Sequence, residues 1–232
     1  MNKKQLFCST IVVAGGTGSR MGLSQNKVFC ELGGIPILAR TLLAFESCPF
    51  VQEIVLVGRE DELSLCHEIV DKFSVTKLTA LVPGGAQRQH SVYNGLSAVS
   101  DKCDIVAIHD AARPFVTQRA IKSVIDAAVS HRAAALGVKC KDTIKMCDDD
   151  QSICQTLPRD QLWLIQTPQV FERNLLVNAY DRIGDSIVTD DCSVVEHMGV
   201  SPLLVEGDYS NIKITTKEDL LFGEWFLQNS NT

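Results

Sequence analysis

Ile11-Val12-Val13-Ala14-Gly15-Gly16-Thr17-Gly18-Ser19-Arg20-Met21 is the stretch on which the fold turns. From Phe7 to Val13 the chain is short, apolar and rich in β-branched residues, which suits a buried strand. It runs directly into glycines. With no Cβ in the way, their backbone N–H groups can approach phosphate oxygens closely. Two familiar phosphate loops do not fit. A dinucleotide fingerprint needs G-x-G-x-x-G, but Met21 holds the third place and Gly22 comes one residue late. A Walker A loop needs G-x-x-x-x-G-K-[ST], and no register supplies it.

Outward from this strand, apolar runs alternate with helical periods. Ile37, Leu38, Leu42 and Phe45 fall at helical spacing, Ile54 to Val57 reads as a strand, and Leu63, Cys66, Val70 and Phe73 share a helical stripe. Leu78 to Val82 is a strand ending at Pro83-Gly84-Gly85, with Val92, Leu96 and Val99 on the helix after it. Ile105 to Ile108 is another strand, followed by Thr117 as N-cap of a helix carrying Ile121, Val124, Ile125 and Ala128. The alternation predicts an α/β fold, a doubly wound and mostly parallel sheet covered by helices on both faces.

The rhythm breaks between Lys141 and Leu157. Two polar strand-like halves, Thr143 to Cys147 and Ile153 to Leu157, flank the acidic turn Asp148-Asp149-Asp150-Gln151. So polar a hairpin cannot stand alone in water, so it packs on the domain or reaches another subunit. After it come a strand near Leu162 to Thr167, a helix from Arg173, a helix bearing Val194, Val195 and Met198, and the strand Leu203 to Glu206. Thr216-Lys217-Glu218-Asp219 opens the last helix as a capping box. No repeat or linker marks a boundary, so residues 1–232 are expected to be one domain with the 141–157 hairpin as an arm.

The composition is that of an ordinary globular protein, with 45% hydrophobic and 22% charged residues in 232. A net charge of −6 argues against a nucleic-acid surface, so an anionic ligand must find its cations gathered locally. Nine cysteines without a C-x-x-C pair form no disulfide framework and read as reduced thiols used as small hydrophobes. Five histidines offer no zinc spacing. No segment is long and apolar enough to span a membrane, and the N-terminus does not read as a signal peptide, so the expected location is cytoplasmic.

The local cations are present. Arg20 lies in the glycine loop and Lys27 follows seven residues on, both near the carboxyl edge of the first strand, where open parallel sheets bind ligands. A planar guanidinium and a mobile ammonium can hold different oxygens of a triphosphate. Three further loops arrive at the same edge. Gly84-Gly85-Ala86-Gln87-Arg88-Gln89-His90-Ser91 offers backbone N–H groups, a cation and a hydroxyl. His109-Asp110-Ala111-Ala112-Arg113-Pro114 ends the Ile105 strand, where Asp110 is a natural partner for Mg²⁺ or a hydroxyl. Asn211-Ile212-Lys213 follows the Leu203 strand.

This ordered series resembles the 2-C-methyl-D-erythritol 4-phosphate cytidylyltransferases. The match continues through Lys141-Asp142-Thr143-Ile144-Lys145, Arg159, Gln166-Thr167-Pro168-Gln169, Thr189-Asp190-Asp191 and Asn211-Ile212-Lys213, and covers the chain from about Thr10 to Leu227. The resemblance implies transfer of a cytidylyl group from CTP to the methylerythritol phosphate, a Mg²⁺ ion held mainly by the CTP phosphates, and a homodimer whose arms embrace the neighbour. It implies that Arg20 and Lys27 stabilise the transition state, and that Arg159 and Lys213 position the acceptor's phosphate. It gives CTP to Ala14, Gly15, Gly16, Gly85, Ala86, Ser91 and Ala111, with the loop around Gly85 reading cytosine. It gives the acceptor to Asp110, Arg113, Thr143, Arg159, Thr167, Thr189 and Lys213, some of them from the partner's arm.

Two positions depart from the family pattern. Asn26-Lys27-Val28 stands where Pro-Lys-Gln is usual, so the turn before the lysine loses proline's fixed φ. Ala86 stands where an acidic residue is frequent, leaving only backbone contacts to the base. A ribitol-5-phosphate cytidylyltransferase is the nearest alternative, but its relatives tend to read D-A-V-R-P where this chain has Asp110-Ala111-Ala112-Arg113-Pro114. A nucleotide-dependent oxidoreductase is disfavoured by the missing third glycine. A non-catalytic scaffold is disfavoured by retention of both Arg20 and Lys27.

Overall fold

The structure is a computed structural model that describes residues 6–15, 26–184 and 188–229. Among these, strands β1 (Cys8–Val13), β4 (Glu53–Gly58), β5 (Leu78–Pro83), β6 (Ile105–Asp110), β7 (Ala133–Lys139), β10 (Trp163–Glu172) and β11 (Leu203–Glu206) form a seven-stranded sheet. Their order is β11-β7-β10-β6-β1-β4-β5, and every neighbouring pair is parallel except those of β10. From β1 the chain winds outward through β4 to β5, then returns to place β6 on the other side of β1. That reversal opens a crevice beyond the carboxyl ends of β1 and β6.

Helices α1 (Ile37–Glu46), α2 (Leu63–Lys72) and α4 (Gln118–His131) bury their apolar stripes on one face of the sheet, in a cluster that includes Leu38, Phe45, Leu56, Ile121 and Leu136. On the other face, α3 (Arg88–Ala98), α5 (Arg173–Ile183) and α6 (Asp191–Glu196) pack around Ile11, Val57, Leu96, Ile108 and Phe171. Strands covered on both sides read as nearly continuous apolar runs, and β4 and β6 are buried at every residue. Contact with α3 is close: a Cβ on Gly95 would lie 2.6 Å from the Ile11 side chain.

Local chemistry explains the ends. Thr117 caps α4 by accepting from the Ala120 N–H, and Arg132 closes it in the left-handed region. Helix α7 (Lys217–Asn229) starts on the expected capping box: Asp219 accepts from the Thr216 N–H at 2.9 Å, and Thr216 Oγ1 from that of Asp219 at 3.3 Å.

The arm is a two-stranded ribbon of β8 (Lys145–Cys147) and β9 (Ile153–Thr156), exposed along both strands. Its turn is tied by Asp148, whose carboxylate accepts from the Asp150 and Ser152 N–H groups, while Gln151 takes a φ of 63°. Four strands differ from the sequence reading. The small hairpin of β2 (Glu31–Leu32) and β3 (Ile35–Pro36) and the whole of β7 were not expected, and β10 runs on to Glu172 rather than stopping near Thr167. The cysteines split. Cys8, Cys48, Cys66, Cys103, Cys140 and Cys192 are buried as small hydrophobes, Cys30 is half-buried, and Cys147 and Cys154 are exposed on the arm.

Candidate active site

The crevice beyond β1 and β6 holds two adjoining clefts that share Arg88, Asp110 and Lys213. Ala14 and Gly15 from the end of β1, Lys27, and Gly85, Ala86 and Ser91 from the loop opening α3 line the first. Arg113, Gln166, Thr167, Thr189 and Asp190 line the second.

The α3 loop is organised by one hydroxyl. Ser91 Oγ donates to the Gln87 carbonyl and accepts from the Gly85 N–H at 3.1 Å. The loop folds back so tightly that a Cβ on Gly85 would sit 2.3 Å from that of His90. Glycine is required there for space.

Lys27 lies in a one-turn 3₁₀ segment, Lys27–Phe29, with Val28 and Phe29 sunk into the core beside it. The segment's first residue is capped by Asn26, whose φ of −61° is one a proline would adopt. The φ that a proline would fix is therefore kept without one.

Asp110 sits between three cations. Lys213 Nζ lies 2.6 Å from one carboxylate oxygen and Arg88 Nε 3.4 Å from the other. Burial opposes the Asp110 charge, but Arg88, Lys213 and Arg113 outweigh it and hold the carboxyl well below its usual range. Arg88 also reaches Asp191 at 2.7 Å, and the fully buried Asp191 accepts from the Tyr180 hydroxyl at 2.6 Å. Burial would lower the Arg88 value, yet its two carboxylates raise it, so the guanidinium stays charged. Arg113 donates to the Asn211 carbonyl at 2.8 Å, which ties the β6 loop to the loop carrying Lys213.

Beneath Asp110, His109 is wholly buried against Phe45. Desolvation pulls its pKa down to about 4, so it is neutral near pH 7. The Arg113 carbonyl at 3.0 Å accepts, so Nε2 carries the proton; Nδ1 then accepts from Thr167 Oγ1, which itself accepts from the Asp110 N–H. Every polar atom of the ring is committed, and none is left to act as a base.

Of the expected residues, Ala14, Gly15, Lys27, Gly85, Ala86, Ser91, Asp110 and Lys213 gather in the first cleft, and Asp110, Arg113, Thr167, Thr189 and Lys213 in the second. Ala111 does not join them. Its N–H goes to Val13 and its carbonyl to Thr41, and Ala112 lines the first cleft instead. Thr143 and Arg159 stand exposed on the arm side, outside both clefts, with Arg159 donating to the Lys141 carbonyl. Gly16 and Arg20 lie outside the described residues.

Asp191, Tyr180 and Asn26 were missed as functional positions. Asp191 was in the quoted T-D-D run and Asn26 in the departing triplet, but Tyr180 carried no signal beyond a helix's apolar face.

A protein-built metal cage is not present among the described residues, which bring no group of three ligating side chains together. The oxygens of Asp110, expected to partner Mg²⁺ or a hydroxyl, face Arg88 and Lys213. The site fits an ion brought in on phosphate oxygens, with Asp110 as an outer carboxylate.

A doubly wound sheet with glycine loops and clustered cations at its switch point is that of a nucleotidyltransferase. The 2-C-methyl-D-erythritol 4-phosphate cytidylyltransferase family matches residues 8–229. Relatives of that name from Caldanaerobacter subterraneus subsp. tengcongensis and Clostridium beijerinckii are each 47% identical, over 95% of this chain and 98% of theirs. The crystal structure of the 4-diphosphocytidyl-2C-methyl-D-erythritol synthase of Anaerococcus prevotii superposes with a TM-score of 0.86 at 34% identity, over 97% of both chains. That of the Thermus thermophilus cytidylyltransferase gives 0.78 at 30%, over 96% of this chain and all of the other. The chain belongs to the 2-C-methyl-D-erythritol 4-phosphate cytidylyltransferase family.

Proposed function

We propose that the two clefts carry out one transfer: a cytidylyl group moves from CTP to 2-C-methyl-D-erythritol 4-phosphate, with release of pyrophosphate, in the non-mevalonate route to isoprenoid precursors. The observation that carries this reading is the wall of Arg88, Asp110 and Lys213 shared by the two clefts, across which an acceptor's phosphate in the second would meet a triphosphate in the first.

The acceptor's phosphate oxygen forms a new bond to the α-phosphorus of CTP as the bond to the β-phosphate oxygen breaks. A phosphate monoester has its second pKa near ~6, so the attacking oxygen is already ionised at neutral pH. No base is needed, in keeping with the neutral, fully bonded His109. Arg20 and Lys27 hold the charge gathering on the transferred phosphorus and leaving group. Lys213 and Arg159 position the acceptor's phosphate, Asp110, Arg113, Thr167, Thr189 and Thr143 its polyol, and the backbone of the Gly85–Ala86 loop, whose Gly85 N–H is held by Ser91, meets the base. Mg²⁺, held by the CTP phosphates, would neutralise the departing pyrophosphate.

The exposed Thr143, on the arm, and Arg159, just after it, belong in this reading to the site of a second copy in a homodimer working in the cytoplasm. The test is pyrophosphate release with CTP and methylerythritol phosphate, run beside ribitol 5-phosphate and UTP. Turnover confined to the first pair is expected. Preference for ribitol phosphate would overturn the acceptor, and equal use of UTP the base-reading role of the Gly84–Ser91 loop.

A further inference from the structure

Lys27 is useful to the transfer only if its ammonium is held in register with the phosphates. On its C-terminal side the Lys27–Phe29 turn is fixed by burial of Val28 and Phe29 and by the Cys30 N–H bond to the Lys27 carbonyl. On its N-terminal side, among the described residues, Asn26 fixes it. Asn26 is 3% exposed, and its amide bonds in three directions. Oδ1 accepts from the Val28 N–H at 3.4 Å, while Nδ2 donates to the Ala14 carbonyl and to the Glu62 carboxylate, each at 2.9 Å. Both amide protons are used, which a proline or an aspartate could not supply.

The Ala14 bond has a second effect. In a planar trans peptide the carbonyl and the next N–H point opposite ways, so holding the Ala14 oxygen toward Asn26 directs the Gly15 N–H away from it. One side chain thus sets both the Lys27 turn and the peptide that opens the glycine loop. Glu62, immediately before α2, braces that side chain from the far side, with its own carboxylate 3.9 Å from Arg59.

Resting on the reading of Lys27 as a catalytic cation, we propose that Asn26 is a positioning residue for the transfer and that Glu62 acts through it. The readout is kcat against KM for CTP, with the thermal midpoint measured alongside. Asn26→Ala should lower kcat by roughly 10- to 100-fold with little change in KM, since displacement of a reacting group by ~1 Å costs on that order. Asn26→Pro keeps the φ but none of the three bonds, and should stay impaired. Glu62→Ala should show a smaller loss of the same kind, Glu62→Gln, which keeps an acceptor for Nδ2, should be close to wild type, and Asn26→Ala with Glu62→Ala should be no worse than Asn26→Ala alone.

Lys27→Ala separates the two claims. If it is inactive while Asn26→Ala or Asn26→Pro turns over normally, the positioning role is overturned and the reading of Lys27 stands. If Lys27→Ala itself keeps a normal kcat, the reading beneath the proposal has failed. Should Asn26→Ala not fold, the Glu62 pair decides, and equal kcat in Glu62→Ala and Glu62→Gln overturns the brace.

Discussion

His109 lies near the end of β6 inside the protein, where the solvation its imidazole would lose by carrying a charge outweighs what the Arg113 carbonyl and Asp110 would return. Its pKa falls from the ordinary 6.5 to about 4 on folding. Between these values the unfolded chain binds the proton and the folded one does not, so stability is complete above about pH 6.5 and drains as pH falls toward 4, by up to about 3 kcal/mol. Asp110, whose folded value is also depressed, adds a loss at still lower pH, below its ordinary 3.8. We expect the urea midpoint to fall steeply from pH 6.5 to 4, and His109→Gln, which cannot titrate, to start lower at pH 7 but follow a flatter course. Parallel slopes in the two proteins would place the acid sensitivity elsewhere. Among the cations, Lys27→Ala and Arg20→Ala should each lower kcat by roughly 10²–10³ while KM for CTP moves far less, the signature of a contact that strengthens in the transition state. A rise in KM with kcat intact would make them binding residues only.

Elements meet at Arg88, which belongs to the first turn of α3 and is paired with Asp191 in the first turn of α6. The pair ties the nucleotide-side loop to the helix following Thr189, and Tyr180 on α5 closes the other Asp191 oxygen. A buried carboxylate so arranged is stabilising only while complete. Asp191→Ala should cost about 3–5 kcal/mol, because it leaves a charged guanidinium facing a void, and Tyr180→Phe about 1 kcal/mol for one lost bond. Denaturant unfolding checks both, and a loss below about 1 kcal/mol for Asp191→Ala would mean that Arg88 re-pairs with Asp110 alone. None of this pairing was legible in the sequence, because Tyr180, Arg88 and Asp191 meet only through tertiary packing. Where the signal is local, the reading succeeds: the Thr117 cap, the Thr216–Asp219 box and the acidic arm turn all appear as expected. Strand β7 escaped because Ala133-Ala134-Ala135-Leu136-Gly137 has neither a β-branched run nor an alternating period, and its strand state comes from pairing with β10 and β11.

Across the whole molecule, the parallel sheet and its ligand edge follow from apolar runs ending in glycines, whereas the antiparallel insertion of β10 between β6 and β7 has no sequence marker. That insertion sets the acceptor cleft, since Gln166 and Thr167 line it from within β10. Directly before β10 come Arg159, in a 3₁₀ turn, and the arm. Both arm strands are exposed throughout, and neither Thr143 nor Arg159 is among the described residues lining the two clefts. A two-stranded ribbon that leaves Met146 and Ile153 exposed would gain stability by covering itself against another molecule. If that molecule is a second copy and Arg159 serves its site, every active site is composite. Mixing two inactive variants, Lys27→Ala and Arg159→Ala, then tests the arrangement. A mixed dimer would carry both lesions in one site and neither in the other, so one intact site should return with each heterodimer formed. Random exchange of equal amounts puts half the dimers in that state, and activity should recover to about a quarter of the wild-type rate per site, in the absence of coupling between sites. Exchange must be followed independently, for instance by tags of different mass on the two variants. Heterodimers without activity would mean that Arg159 acts within its own chain, and the exposed arm would then need another occupant.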